Sequence, residues 1–214
     1  MKKELAILFD CDGVLVDSEP ALAKIAAGVL QEQGIPAKPE DFEPYIGTGE
    51  DTYLGKVIEK YGFEFKEEHK HLVYEAYIEK AAQTVETFPD CLSFLKKLKD
   101  ENIKMVVASS ADAVKVNANL EALGFKDFDA IDSGSDIKRK KPFPDIYLLA
   151  AEKIDAKPEN CIVIEDATAG VESGKAAGMK VIGFTSACSV EQLLEAGADY
   201  AVGTYQEIDN IVFG

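Results

Sequence analysis

The stretch LFDCDGVLVDSE, from Leu8 to Glu19, changes abruptly from apolar to acidic. It continues an apolar run that begins at Leu5 and that has the length and composition of a buried strand. Four carboxylates then occur within ten residues: Asp10, Asp12, Asp17 and Glu19. Such acids can solvate a loop, bind calcium or provide paired carboxylates to a catalytic site. The choice among these depends on the residues at the ends of the other strands of the chain.

The composition is that of an ordinary globular protein with an acidic surface. The 214 residues are 47% hydrophobic and 29% charged, enough for one large core or a core with an insertion. A formal net charge of −16 repels phosphate backbones, so we expect no nucleic-acid partner. Apolar runs of transmembrane length and a signal-peptide pattern are absent from the sequence, so we expect no membrane partner and a cytoplasmic location. Either a monomer or a weak dimer is compatible with this composition.

Short apolar runs alternate with helical patterns along most of the chain. The runs predict strands at Leu5–Phe9, Ile103–Ala108, Cys161–Ile164 and Lys180–Phe184, with weaker ones at Asp129–Ile131 and Asp199–Val202. Helices are predicted at Asp90–Glu101, Asp112–Leu123, Pro144–Ile154, Ala167–Ala177 and Val190–Ala196. This alternation predicts an α/β fold, a Rossmann-like, doubly wound parallel sheet covered by helices on both faces.

One segment breaks the alternation. From Ser18 to Thr87 the patterns predict helices and no strand, with the helices at Pro20–Gln33, Glu50–Tyr61 and Lys66–Thr84. We therefore expect an all-helical cap, residues 18–87, inserted into a core that residues 1–17 and 88–214 form together.

Polar side chains come directly after the predicted strands, where ligands bind in open parallel sheets. Asp10 and Asp12 come after the first strand, and Ser109 and Ser110 after the second. The next polar segments carry the basic run Lys138-Arg139-Lys140-Lys141 and, after the strand Cys161–Ile164, the acids Glu165 and Asp166. Clustered carboxylates repel one another unless they share a cation, and oxygen ligands suit Mg²⁺. A lysine and hydroxyl groups beside that ion suit an anion, and phosphate fits best.

Four motifs in this order resemble those of a known family. LFDCDGVLVDSE, VVASS, KRKKPFPDIY and VIEDATAGVESGKAAGM together resemble the haloacid dehalogenase-like hydrolase superfamily. The resemblance is strongest to its β-phosphoglucomutase-like phosphatases and phosphomutases, which carry a helical cap after the first motif. It covers almost the whole chain outside the cap.

The resemblance implies a role for each matching residue. Asp10 is expected to be the nucleophile that forms an aspartyl-phosphate, and Asp12 the general acid/base. Ser109, Ser110 and Lys141 are expected to bind the substrate phosphate. The Mg²⁺ site is expected to consist of the Asp10 carboxylate, the Asp12 backbone carbonyl, Glu165 and Asp166. Dehalogenases of the superfamily lack an acid at the position of Asp12, so its presence favours phosphoryl transfer.

Three functions are compatible with these motifs. The first is a Mg²⁺-dependent phosphatase for a small phosphorylated metabolite, with a sugar phosphate favoured. The second is a β-phosphoglucomutase that interconverts β-glucose-1-phosphate and glucose-6-phosphate; family mutases use a cap arginine, but Gly49 stands at that position and the only arginine is Arg139. The third is a non-catalytic phospho-ligand binding protein, which would be expected to have lost a catalytic residue, and none is lost here.

Other residues have plainer interpretations. Asp17 is expected to be a solvated residue at a hinge, and Glu19 to place a negative charge at the N-terminus of a helix. His69 and His71 are two residues apart on a polar helix, so their side chains should diverge toward solvent. Gly47 and Gly49 suit either close approach of a ligand to the backbone or the turn before a helix.

Overall fold

The apolar runs of the sequence form a six-stranded parallel sheet. The computed structural model describes residues 5–46 and 49–214, so residues 1–4, Gly47 and Thr48 lie outside the description. The strands of this sheet are β1 Ala6–Phe9, β4 Lys104–Ala108, β5 Ala130–Asp132, β6 Cys161–Glu165, β7 Lys180–Phe184 and β8 Tyr200–Val202. Two further strands, β2 Val16–Asp17 and β3 Glu86–Thr87, form a separate two-stranded sheet. The sheet order is β5-β4-β1-β6-β7-β8, with every pair parallel. The predicted Rossmann-like α/β fold is confirmed.

Helices cover both faces of this sheet. They are α1 Glu19–Glu32, α2 Glu50–Lys60, α3 Glu67–Thr84, α4 Cys91–Asp100, α5 Ala113–Leu123, α6 Asp145–Lys153, α7 Thr168–Ala176, α8 Val190–Glu195 and α9 Tyr205–Phe213. Alternation along β1 directs Ile7 and Phe9 toward a core with α4, α5 and α9. Ala6 and Leu8 point to the opposite core, with α6, α7 and α8. None of the described helices is long and apolar enough to cross a membrane.

The strand order fixes where a ligand can reach the sheet. β1 lies between β4 and β6, and the chain runs outward from β1 in opposite directions on its two sides. The loops that leave β1 and its neighbours therefore diverge and open a crevice at the carboxyl ends of these strands. The predicted site residues all come after strands at this edge or lie in the segment before α6.

The segment predicted as a cap has a hydrophobic core of its own. Side chains of α1, α2 and α3 pack together, among them Leu22, Leu54 and Tyr77, and Ala118 of α5 joins them. Two short 3₁₀ turns, Pro39–Asp41 and Glu43–Tyr45, connect α1 with α2. Of the two glycines expected near the start of α2, Gly47 lies outside the described residues. Gly49 has φ 86° and is the N-cap of α2.

Two parts of the sequence prediction are wrong. The segment 18–87 contains a strand, because β3 pairs with β2 in an antiparallel ladder that joins Val16 to Thr87 and Asp17 to Glu86. Two-residue strands show no periodicity that a sequence pattern can reveal. Helix α9 is also absent from the prediction; its Thr204 N-cap, whose hydroxyl accepts a hydrogen bond from the Glu207 amide, is a signal that could have identified it.

Candidate active site

Lys141 lies at the centre of the polar cluster beyond the sheet. Its Nζ donates hydrogen bonds to Asp10 Oδ1 at 2.5 Å, to Glu165 Oε1 at 2.6 Å and to the Ala108 carbonyl at 3.0 Å. These partners come from the ends of three adjacent strands, β1, β6 and β4. A buried ammonium group in this position is neutralised by two carboxylates. Lys141 is thus separated in function from Lys138, Arg139 and Lys140 of the same basic run, whose side chains are exposed.

Both carboxylate oxygens of Glu165 accept hydrogen bonds from protein donors. Its Oε1 accepts from Lys141 and from the Tyr147 hydroxyl at 2.8 Å, and its Oε2 accepts from the amides of Asp166 at 3.0 Å and Ala167 at 3.3 Å. An oxygen that already accepts two hydrogen bonds is a poor ligand for a metal ion. These bonds fix the carboxylate, which in turn orients Lys141; direct ligation of Mg²⁺ by Glu165 stays a prediction.

Asp166 packs against the loop that leaves β1. A Cβ atom at Gly13 would lie 1.8 Å from Asp166 Oδ2, and Gly13 has φ 73°, so this turn requires glycine. The Ser186 hydroxyl, after β7, contacts both sides of this junction, at 2.5 Å from the Gly13 carbonyl and 3.2 Å from Asp166 Oδ2. These contacts bring the Asp166 carboxylate to the Asp10–Gly13 segment.

The buried carboxylates repel one another and lack sufficient positive charge. Burial, together with the nearby charges of Glu165 and Asp12, raises the pKa of Asp10 to about 7 despite the opposing effect of Lys141. Burial and the charges of Glu165 and Asp10 raise the pKa of Asp166 well above its usual range. Burial would lower the pKa of Lys141, but Asp10 and Glu165 raise it well above normal. Three carboxylates thus share one lysine.

The donor set fits a Mg²⁺ ion with few protein ligands. Among the described residues, no three Asp, Glu, His or Cys side chains are grouped as in a closed metal site. Mg²⁺ is commonly bound by one or two carboxylates, with water and substrate phosphate completing its shell. Asp10 and Asp166, whose mutual repulsion such a cation would relieve, and the Asp12 carbonyl are the residues that would hold it.

Ser109 and Ser110 lie after β4, as the sequence predicts. Ser109 is buried: its amide donates to the Asp132 carbonyl at 3.0 Å, and its hydroxyl accepts from the Ala111 amide at 3.2 Å. The Ser110 hydroxyl is also buried and has no hydrogen-bond partner among the described residues. An unsatisfied hydroxyl of this kind is available to a ligand oxygen.

Asp12 is surrounded by donors. Its Oδ1 accepts from Lys115 Nζ at 2.9 Å, from Asn119 Nδ2 at 3.0 Å and from the Ser18 hydroxyl. Burial alone would raise the pKa of Asp12, but Lys115 and these hydrogen bonds lower it below its usual value. Glu19 lies 3.4 Å from Lys115 Nζ, so it belongs to this network as well as to the start of α1. The interpretation of Glu19 as only a helix charge is therefore incomplete.

One family model matches the whole arrangement of motifs. A family model described as haloacid dehalogenase-like hydrolase matches residues 7–184, which include Asp10, Ser109, Lys141 and Asp166. The chain belongs to the haloacid dehalogenase-like hydrolase family.

Relatives of this hydrolase include proteins of different lengths. It is 40% identical over 202 residues to Protein SUPPRESSOR OF QUENCHING 1, chloroplastic, of Arabidopsis thaliana, a match that covers 91% of the chain but 19% of that protein. It is 32% identical to the phosphorylated carbohydrates phosphatase of Thermotoga maritima, with 97% of each chain covered. The crystal structure of a candidate beta-phosphoglucomutase from Thermotoga maritima has a TM-score of 0.84 at 31% identity, covering 97% of the hydrolase and 98% of that chain.

Several contacts in the hydrolase were not predicted from its sequence. Tyr147, Ser186, Lys115 and Asn119 each bond directly to a predicted site residue. Tyr147 and Asn119 look like ordinary interior positions of α6 and α5. Lys115 carries a weak signal, because it lies next to Val116 among the mostly apolar residues of α5, where a lysine is uncommon.

Proposed function

We propose that this hydrolase is a Mg²⁺-dependent phosphatase for a small phosphorylated metabolite, with the sugar-phosphate class favoured. The observation that carries the proposal is the contact of Lys141 with both Asp10 and Glu165, next to Asp12. Phosphoryl transfer can use this arrangement, in which a carboxylate nucleophile lies beside a fixed cation and a second carboxylate. The Thermotoga maritima relative named phosphorylated carbohydrates phosphatase supports the substrate class.

In the first step the Asp10 carboxylate attacks phosphorus, and the bond from phosphorus to the leaving oxygen breaks. Asp12 gives its proton to that oxygen, so the product leaves as an alcohol. The lowered pKa of Asp12 means that it is a carboxylate before substrate binds. A phosphate monoester, whose second pKa is about 6, can bring the required proton with it.

In the second step Asp12 acts as the base. It takes a proton from a water molecule whose oxygen attacks phosphorus, and the bond between phosphorus and Asp10 breaks. Asp12 passes this proton to the departing inorganic phosphate, so both carboxylates return to their starting forms. Lys141, beside Asp10, and the unpartnered Ser110 hydroxyl would bind the oxygens of the phosphoryl group. Asp10, Asp166 and the Asp12 carbonyl would hold a Mg²⁺ ion, which would offset the charge of the phosphoryl group.

We also propose that residues 18–87 act as a cap that covers the substrate. The chain leaves the core after β2 and returns through β3, so two adjacent strands carry the whole segment. Across the junction, Lys70 of α3 lies 3.5 Å from Asp112, which precedes α5. A cap on such a narrow connection can exclude water from the site and can supply the contacts that select the substrate.

The test is Mg²⁺-dependent release of phosphate from p-nitrophenyl phosphate and from a panel of sugar phosphates. We expect Asp10→Asn to reduce turnover by at least about a thousandfold, because no covalent intermediate can form. Asp17→Asn is the matched control, since Asp17 comes from the same segment but is exposed at the end of β2. It should retain wild-type activity. Undiminished turnover by Asp10→Asn would remove Asp10 from the mechanism.

A mutase is the second candidate because the Thermotoga maritima structure with TM-score 0.84 is described as a candidate beta-phosphoglucomutase. A mutase must bind a second phosphate, and residues 18–87 contain no arginine for this purpose. Conversion of β-glucose-1-phosphate to glucose-6-phosphate, stimulated by the bisphosphate, would establish the mutase. Release of free phosphate without isomerisation would establish the phosphatase.

A further inference from the structure

We propose that Lys115 and Asn119 of α5 are positioning residues that hold Asp12 for its proton transfers. The proposal rests on the phosphatase function above, in which Asp12 is the acid/base. Lys115 and Asn119 are four residues apart, so they lie on the same face of the helix. That face meets the loop after β1, and both side chains reach the same carboxylate.

All the donors around Asp12 converge on one of its two oxygens. Lys115 Nζ at 2.9 Å, Asn119 Nδ2 at 3.0 Å and the Ser18 hydroxyl bond to Oδ1. Oδ2 has no hydrogen-bond donor within residues 5–46 and 49–214. Anchoring one oxygen fixes the plane of the carboxylate and leaves the other oxygen for the substrate and for water. A positioned acid/base needs one oxygen that is held in place and another that can exchange a proton.

The two positioning residues are themselves fixed by neighbours. Tyr77 of α3 donates its hydroxyl proton to Asn119 Oδ1 at 2.6 Å, which orients the amide so that its NH₂ group faces Asp12. Lys115 has a second carboxylate, Glu19, at 3.4 Å. Lys115, Asn119 and Tyr77 are all buried, so water cannot easily replace any of these bonds. Their side chains are therefore fixed before substrate arrives.

Burial of the Lys115 ammonium group costs free energy, so its position calls for a reason. A lysine is seldom buried without partners, and removal of its charge from water is offset only by well-placed carboxylates. Of its two carboxylate partners, Asp12 lies in the loop after β1 and Glu19 at the start of α1, so neither belongs to the sheet packing of α5. A purely structural ion pair would not need to share its oxygen with an oriented amide. The positioning role and the structural role predict different kinetics.

The two chemical steps depend differently on Asp12. Transfer of the phosphoryl group from p-nitrophenyl phosphate to Asp10 releases a stable nitrophenolate anion and needs no proton. Hydrolysis of the aspartyl-phosphate needs Asp12 to accept a proton from water. A variant with a misplaced Asp12 should therefore form the intermediate at a nearly normal rate and hydrolyse it slowly. A variant with a damaged fold should slow both steps.

The experiment is stopped-flow measurement of nitrophenolate release in Mg²⁺ buffer by Lys115→Met and Tyr77→Phe. For Lys115→Met we expect a burst of about one nitrophenolate per enzyme, followed by turnover at least about tenfold slower than in wild type, within the range that general base catalysis contributes. For Tyr77→Phe, which removes one hydroxyl from a buried ring, we expect a smaller change of the same kind. The matched control is Lys175→Met. Its ion pair with Asp199, at 2.8 Å, lies at the opposite, amino-terminal end of β7.

Each result bears on the proposal. If both phases slow by the same factor, if neither changes, or if Lys175→Met shows the same burst, the proposal is overturned. If Lys115→Met does not melt cooperatively, Tyr77→Phe decides, and an unchanged ratio of burst rate to turnover in that variant rejects the role. A wild-type protein that releases no phosphate would instead refute the phosphatase function, which distinguishes failure of the function from failure of the positioning role.

Discussion

At the residue scale, Glu165 shows how little freedom the site allows. Its two oxygens accept four hydrogen bonds, one of them from Lys141. Gly170, in the first turn of α7, lies directly against this carboxylate, and a Cβ atom there would be 1.9 Å from Oε1. The carboxylate cannot move aside without breaking several of these bonds, so the absence of a side chain at Gly170 supports the position of Lys141.

Gly170→Ala tests this contact. We expect the methyl group to displace Glu165 and with it Lys141, so that phosphatase turnover falls by at least about tenfold and stability by about 1–3 kcal/mol. Gly28→Ala in α1 is the matched control, because a Cβ atom there meets nothing within 4 Å. It should keep wild-type activity and gain up to about 1 kcal/mol from helix propensity. Enzyme assays and thermal melts measure both; full activity in Gly170→Ala would show that Glu165 does not orient Lys141.

At the element scale, Asp41 ties the connection between α1 and α2 to the end of α2. It accepts hydrogen bonds from the Lys38 amide at 2.8 Å, from the Tyr61 hydroxyl at 2.7 Å and from Lys60 Nζ. Burial would raise the pKa of Asp41, but these bonds together lower it from 3.8 to about 2. The carboxylate form therefore stabilises this part of the cap.

Asp41→Asn should lower stability at pH 7 by about 2 kcal/mol, the usual contribution of hydrogen bonds to a charged group. Because the folded pKa lies below the ordinary value, the stabilisation is present above pH 3.8 and is lost as pH falls toward 2. The difference in melting temperature between wild type and variant should therefore shrink below pH 4. Asp127→Asn is the control: its ion pair with Lys99 is half-exposed and should contribute little at any pH. A difference that stays constant between pH 7 and 3 would contradict this assignment.

Helix α9 and the β2–β3 ladder mark where element prediction failed. The strands of the large sheet and the helices from α1 to α8 are predictable because their apolar periodicity extends over many residues. The β2–β3 ladder depends instead on pairing between residues about seventy positions apart in the chain. Helix α9 joins the core through tertiary contacts: the Tyr205 hydroxyl donates to the Val14 carbonyl at 2.9 Å, and its ring packs on Phe94.

At the scale of the whole molecule, part of the negative charge behind the net charge of −16 is buried. Asp10, Glu165 and Asp166 are buried together, and Lys141 alone bonds to two of them. The raised pKa values of Asp10 and Asp166 show that the site favours added positive charge, whether a proton or a metal ion. The free energy of unfolding should therefore rise when a cation is added that can bind at this site.

Mg²⁺ should raise the melting temperature of the wild-type protein. At a concentration a hundred times the dissociation constant, a ligand of the folded state adds about 2.7 kcal/mol, which corresponds to several degrees for a chain of this size. Asp166→Asn should lose most of this shift, and a chelator should reverse it in the wild type. KCl at equal ionic strength serves as the control for screening. An equal shift in wild type and Asp166→Asn would place the ion elsewhere.

The sequence by itself determined the positions of the main strands along the chain and the polar residues at their carboxyl ends. Apolar runs and helical periods act over a few residues, and parallel strands bring their carboxyl ends to one edge, so Asp10, Ser109 and Asp166 could be placed at one site from local patterns alone. The tertiary structure decided which atoms meet. Lys141 bonds to an aspartate 131 positions away, Asn119 to Asp12 across 107 positions and Tyr77 to Asn119 across 42. Hydrogen bonds and ion pairs depend on distance in space, which local patterns do not encode. For that reason Asn119 and Tyr147 emerge only from the folded molecule, and the sequence marks Lys115 only weakly.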